Sequence, residues 1–220
     1  MTVVQSHRKK TNGSFWKELP ILLVAAVVVA LLVRTFLLQT FWVPSPSMEH
    51  TLNVKDRVLV NKLVYDFRDP HRGEIIVFNS PLSWRSNPDE KVFVKRVIGV
   101  GGDHVVCCDA QGRITINGKP LDEPYLDHDA PHADAAPNDF DIVVPKGRLW
   151  VMGDNRYDSA DSRQNFENRR DINQATIDVD AVIGRAFVLF WPFNRWDWLT
   201  VPSTFDHIPS NPSPAASPPR

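Results

Sequence analysis

The chain of 220 residues carries a formal net charge of −1, too nearly balanced for a nucleic-acid binder, which normally shows a basic excess. A hydrophobic fraction of 43% with only 10 Gly excludes collagen-like and wholly disordered classes, and two cysteines exclude a disulfide-framed scaffold. A chain of this length buries a core without such staples, as one ordinary domain with additions or as two small ones.

Residues 1–18 form a basic tail, with Arg8, Lys9, Lys10 and Lys17 against Glu18. Residues 21–33 then read ILLVAAVVVALLV without a polar break, and Arg34 with TFLLQTFWV carries the apolar texture to Val43. As a helix this window reaches roughly 35 Å, against a bilayer core of about 30 Å. Residues 19–43 are therefore expected to be a transmembrane anchor. Trp16 and Trp42 flank it as interfacial aromatics do. No small-residue cleavage site follows, which favours an uncleaved anchor over a removed leader, with a buried helix of a soluble domain as the other alternative. The basic tail keeps the N-terminus cytoplasmic and sends the remainder of the chain to the outer face.

Beyond the anchor the periodicity changes. Short β-branched runs alternate with turn residues: RVLVNKLVY (57–65), GEIIVFNSP (73–81), KVFVKRVIGV (91–100), HVVCC (104–108), RITING (113–118), DIVVP (141–145), RLWVMG (148–153) and VIGRAFVLFWP (182–192). This spacing predicts a mainly β, antiparallel domain over residues 44–200, with a hairpin turn at Asn117-Gly118. Residues 119–140, acidic and aperiodic, read as a surface excursion, and 162–175 as a short helix or a loop. Adjacent Cys107 and Cys108 face opposite sides of an extended strand, so two separate thiols are favoured over a vicinal disulfide, which would need local distortion. The Asp/His-rich stretch 127–141 lacks a helical His pair or a CxxC and reads as a solvated loop, not a metal site. Residues 201–220, rich in Pro and Ser, are expected to be a disordered tail.

Three strings carry chemistry. Pro44-Ser45-Pro46-Ser47-Met48 leaves the anchor directly; its bland alternative is a stiff linker. Lys95, in FVKRVIGV, becomes a base if it faces the core, since burial disfavours the ammonium form and a neutral amine accepts a proton from a serine hydroxyl. Its alternative is an exposed strand lysine. The third, Gly153–Arg163 (GDNRYDSADSR), is either a tied functional loop or an Asx-rich turn. The aromatics Phe41, Trp42, Phe190, Trp191, Phe193, Trp196 and Trp198 serve equally as core or as a face resting on lipid.

Taken together and in this order, PSPSMEHTL, FVKRVIGVGGD and GDNRYDSADSR resemble bacterial type I signal peptidases. The resemblance implies a membrane-anchored serine endopeptidase of the bacterial cytoplasmic membrane that removes signal peptides from exported preproteins, without metal or cofactor. It implies Ser47 as nucleophile, Lys95 as general base, Ser45 as oxyanion donor and Ser159 as the group orienting the lysine. It also implies a substrate pocket at Val43, Pro44, Met48, Leu52 and Val94, and structural support from Asp154, Arg156, Asp161 and Arg163, with Asp161 and Arg163 paired. Signal peptides and membrane lipid are the implied partners; oligomeric state is left open. Pro46 stands where glycine is usual, and His50, three residues beyond Ser47, offers a rival base. A relative specialised for few substrates, or an inactive anchored binding domain, are the competing readings.

Overall fold

The computed structural model describes residues 15–32, 37–126 and 139–209. The chain divides into two units, residues 1–38 and 39–220. The first contains helix α1 (Phe15–Leu32), whose apolar side chains Ile21, Leu22, Leu23 and Val24 are exposed. Among the described residues no helix is long and apolar enough to cross a membrane. The expected span of 19–43 is corrected at its far end: Leu38–Trp42 form strand β1, at the edge of a sheet beside β2 (Arg57–Asn61). Aromatic and β-branched residues there suit a strand as well as a helix.

The second unit is built on two antiparallel sheets, as the alternating runs require. The larger sheet runs β1, β2, β11 (Val182–Trp191), β3 (Ile75–Asn79), β4 (Val92–Val100), β9 (Arg148–Met152), β10 (Ile177–Asp178), with β12 (Asp197–Trp198) added to β11. The smaller runs β7 (Lys119–Pro120), β6 (Thr115–Ile116), β5 (His104–Cys107), β8 (Phe140–Val143). The β6–β7 turn uses Asn117 and Gly118, both at positive φ (52° and 76°), which the Asn-Gly pair tolerates at little cost. Strand β4 is central and its interior residues Phe93–Gly99 are all buried, Lys95 and Arg96 among them. Helix α2 (Val64–Phe67) follows β2, and two short helices, α3 (Ser162–Arg169) and α4 (Ile172–Ala175), occupy the polar segment after the Gly153 box.

Two further expectations are corrected. The chain end is ordered through residue 209: Phe205 and Ile208 are 6% and 7% exposed and pack into the cluster of Ile98, Ile114, Leu121 and Trp150. Two apolar side chains suffice to dock a segment whose overall composition is polar; residues 210–220 lie outside the described residues. Cys107 and Cys108 form a disulfide rather than two thiols. Strand β5 ends at Cys107, so strand alternation does not extend to Cys108. Most of the 127–141 stretch lies outside the described residues, and among the described residues no His, Cys, Asp and Glu group is arranged to hold a metal.

Candidate active site

The chain leaves β1 at Val43, which is 2% exposed and locked by backbone bonds to Asp56 and Lys55. Pro46–Met48 form one 3₁₀ turn with Pro46 at its first position. A fixed φ is preorganised there and the missing N–H is one the turn does not use, so the proline in place of the usual glycine is accommodated. Met48 and Leu52 are fully buried beneath the turn with Val58, Val60 and Val94. The turn is also held from the box: Asn155 donates its N–H to the Ser47 carbonyl (3.1 Å) and its Nδ2 to the Pro46 carbonyl (3.2 Å). Asn155 was not singled out in the sequence; its only signal was its place inside the box.

Lys95 meets this turn from β4. Its Nζ donates to Ser47 Oγ at 2.6 Å and to the Val94 carbonyl at 3.1 Å, and the side chain is 3% exposed. Burial pulls the Lys95 ammonium down to about 8, with Asp161, Glu90, Asp154 and Asp158 opposing the shift. Ser45 Oγ lies 3.2 Å from Ser47 Oγ. Ser159 is buried, but among the described residues its Oγ has no hydrogen-bond partner and Lys95 is satisfied elsewhere. It packs instead against Gly153, where a β-carbon would collide with both the Ser159 hydroxyl and the Ser47 carbonyl. His50 is exposed, at a φ of 78°, while the described partners of Ser47 Oγ are Lys95 and Ser45.

The four support residues are buried, and the expected Asp161–Arg163 pair is present as an ion pair. Asp154 accepts from Arg96 Nε (2.9 Å) and Nη2 (2.6 Å), and from Thr51 Oγ1 (2.6 Å). Arg156 pairs with Glu123 and donates Nε to the Gly153 carbonyl (3.1 Å). Asp161 stands 3.8 Å from Arg163, too far for a hydrogen bond. It caps α3 through the N–H groups of Arg163 and Gln164 and accepts from Gly153 N–H at 3.1 Å. Arg163 donates to the Arg156 carbonyl. Arg96, Thr51 and Glu123 were missed because choosing partners for buried charges requires contacts 33 to 103 residues apart.

A cleft of about 380 Å³ opens beside Ser47 and Lys95. Val43, Pro44, Met48 and Val94 line it, with Trp84, Phe93 and Ala160 among the other apolar side chains of its wall. Leu52 does not reach it and belongs to the core below, a correction that follows from its position one turn under Met48, to whose carbonyl its N–H bonds at 2.7 Å.

A buried serine–lysine contact beside an apolar cleft in a mainly β unit is compatible with the site of a serine hydrolase. The family model described as signal peptidase, peptidase S26, matches residues 16–191. The chain is 39% identical to a probable signal peptidase I of Mycobacterium leprae, over 85% of this chain and 80% of that one. It is 37% identical to a probable signal peptidase I-2 of Synechocystis, over 98% and 94%. A crystal structure of a signal peptidase I from Enterococcus faecalis aligns with a TM-score of 0.41 at 28% identity, covering 54% of this chain and 97% of that one. The chain belongs to the signal peptidase family, peptidase S26, and is a serine endopeptidase.

Proposed function

We propose that this protein removes signal peptides from exported preproteins with Ser47 as nucleophile and Lys95 as general base. The observation that carries the reading is the 2.6 Å contact between Ser47 Oγ and a buried lysine at the edge of the cleft. Neutral Lys95 takes the Ser47 hydroxyl proton as Oγ attacks the scissile carbonyl. The ammonium then returns that proton to the leaving amine. Ser45 Oγ and the Ser47 N–H are the donors for the developing oxyanion. The shallow apolar cleft at Val43, Met48 and Val94 suits small residues preceding the scissile bond. The test is cleavage of a preprotein with an Ala-x-Ala site by the purified full-length chain in detergent.

The pH dependence follows in sign. Lys95 must be unprotonated to act, and burial lowers its pKa to about 8. kcat/KM is therefore expected to climb about tenfold per unit below pH 7 and level off above about pH 9. A limb centred near pH 6.5 would indicate an imidazole base and sink the assignment.

The apolar run 21–33 is, in the same proposal, part of an anchor in the bacterial cytoplasmic membrane, with the basic tail inside and the catalytic unit outside. Of the aromatics, Phe41 packs into the core, whereas Trp42, Trp191, Phe193, Trp196 and Trp198 are 43–70% exposed and suit contact with lipid. Protease added outside spheroplasts should digest the chain beyond residue 43; full protection of that region would overturn the orientation.

A further inference from the structure

Glu123, Pro124 and Tyr125 lie just beyond the small sheet, in the stretch whose sequence suggested only a surface excursion. Glu123 receives both terminal nitrogens of Arg156, one at 2.8 Å, and both side chains are 8% exposed. The Tyr125 hydroxyl donates to Glu123 Oε1 at 2.6 Å. The Arg96 guanidinium sits 4.0 Å from the centroid of the Tyr125 ring, which also stacks on Phe205 at 6.3 Å. Within three residues, then, this segment contacts both Arg96 and Arg156.

Those arginines hold one turn. Arg96 pairs with Asp154, and Arg156 bonds the Gly153 carbonyl. Between them Asn155 bonds the carbonyls of Ser47 and Pro46. Gly153 leaves no room for a β-carbon against the Ser47 carbonyl, so a small shift of the turn is passed to the serine. No residue of the small sheet or of the segment 121–126 lines the cleft.

We infer that Glu123 and Tyr125 are positioning residues for the nucleophile, locking the two arginines that fix the Gly153–Arg156 turn against the back of Ser47. This rests on the proposed role of Ser47. Loosening the lock misplaces the attacking oxygen without altering the groups that contact substrate, so kcat falls while KM is kept.

The test uses the full-length enzyme in detergent and two readouts per folded molecule. One is preprotein kcat and KM. The other is the rate at which a small serine-directed acylating reagent labels Ser47, which needs no preprotein. Glu123→Gln is expected to lower kcat and the labelling rate together, by about 10- to 100-fold, with KM within about twofold. Glu123→Asp should recover part of the loss. Tyr125→Phe keeps the ring beneath Arg96 and loses only the hydroxyl, for a drop of about 3- to 10-fold; it decides the matter if Glu123→Gln does not fold. Unchanged kcat and labelling in the folded variants, or a raised KM at unchanged kcat, overturns the inference. If wild type labels at Ser47 but cleaves no preprotein, the proposed function falls, and the labelling rates still decide the role of Glu123 and Tyr125.

Discussion

Lys95→Met is expected to reduce preprotein kcat/KM by at least about 10⁴-fold, while making the folded protein more stable at neutral pH. The first effect follows from removing the base that activates Ser47. Ser47→Ala should be equally damaging, and the double variant no worse, because the two groups act as one unit. The second effect follows from burial. The folded-state pKa of Lys95 is about 8, against 10.5 for the free side chain. Below pH 8 the native state therefore holds a charged ammonium at a penalty on the order of 3 kcal/mol. As pH rises from 8 to about 10.5, the native lysine is neutral while the unfolded one still binds its proton, so the penalty fades. Denaturant midpoints of wild type and Lys95→Met should thus differ most at pH 7 and converge near pH 10.5. Equal midpoints at pH 7 would mean that the ammonium is not buried at a cost. A variant retaining wild-type turnover would dismiss Lys95 as the base.

The second large effect is structural. Asp154→Ala leaves Arg96 charged and unpaired in a site where the two side chains are 0% and 3% exposed. Breaking a buried pair from one side costs about 3–5 kcal/mol, a large share of the about 5–15 kcal/mol that holds a typical domain folded. The lost Thr51 hydrogen bond adds to it. Urea unfolding should show the midpoint falling accordingly. The double change Arg96→Met with Asp154→Leu should be far less harmful, since no charge is stranded. A loss below about 1 kcal/mol for Asp154→Ala would show that water reaches the site and that the pair is not buried in solution.

The strands were legible because β-branched residues alternate between Gly, Pro and Asn punctuation, and β2, β3, β4, β9 and β11 fall within the expected runs. Ser47 and Lys95 were legible only jointly: either string alone has a bland alternative, and it is their order along the chain that carries the resemblance. The contact between them spans 48 residues and needed the fold to close it. What stayed hidden has one physical origin, that local texture does not reveal long-range partners. The run TFLLQTFWV carries the apolarity of a membrane helix, yet its end pairs beside β2. Phe205 and Ile208 are scattered among prolines, and composition outvotes them until their binding site is seen. Arg156 and Arg163 were recognisable as support, but Glu123 and the Arg156 carbonyl as their partners were not.

The stacking of Tyr125 on Phe205 has a consequence for biosynthesis. Ser47 emerges early and Lys95 soon after, but the ring beneath Arg96 is backed only when residue 205 of 220 has been made. The Arg72 side chain, which pairs with Asp103, likewise reaches the Ile208 carbonyl across 136 positions. A nascent chain therefore carries Ser47 and Lys95 for most of its synthesis before these two contacts can form. The frame around Ser47 and Lys95 is thus closed by contacts from the last of the described residues.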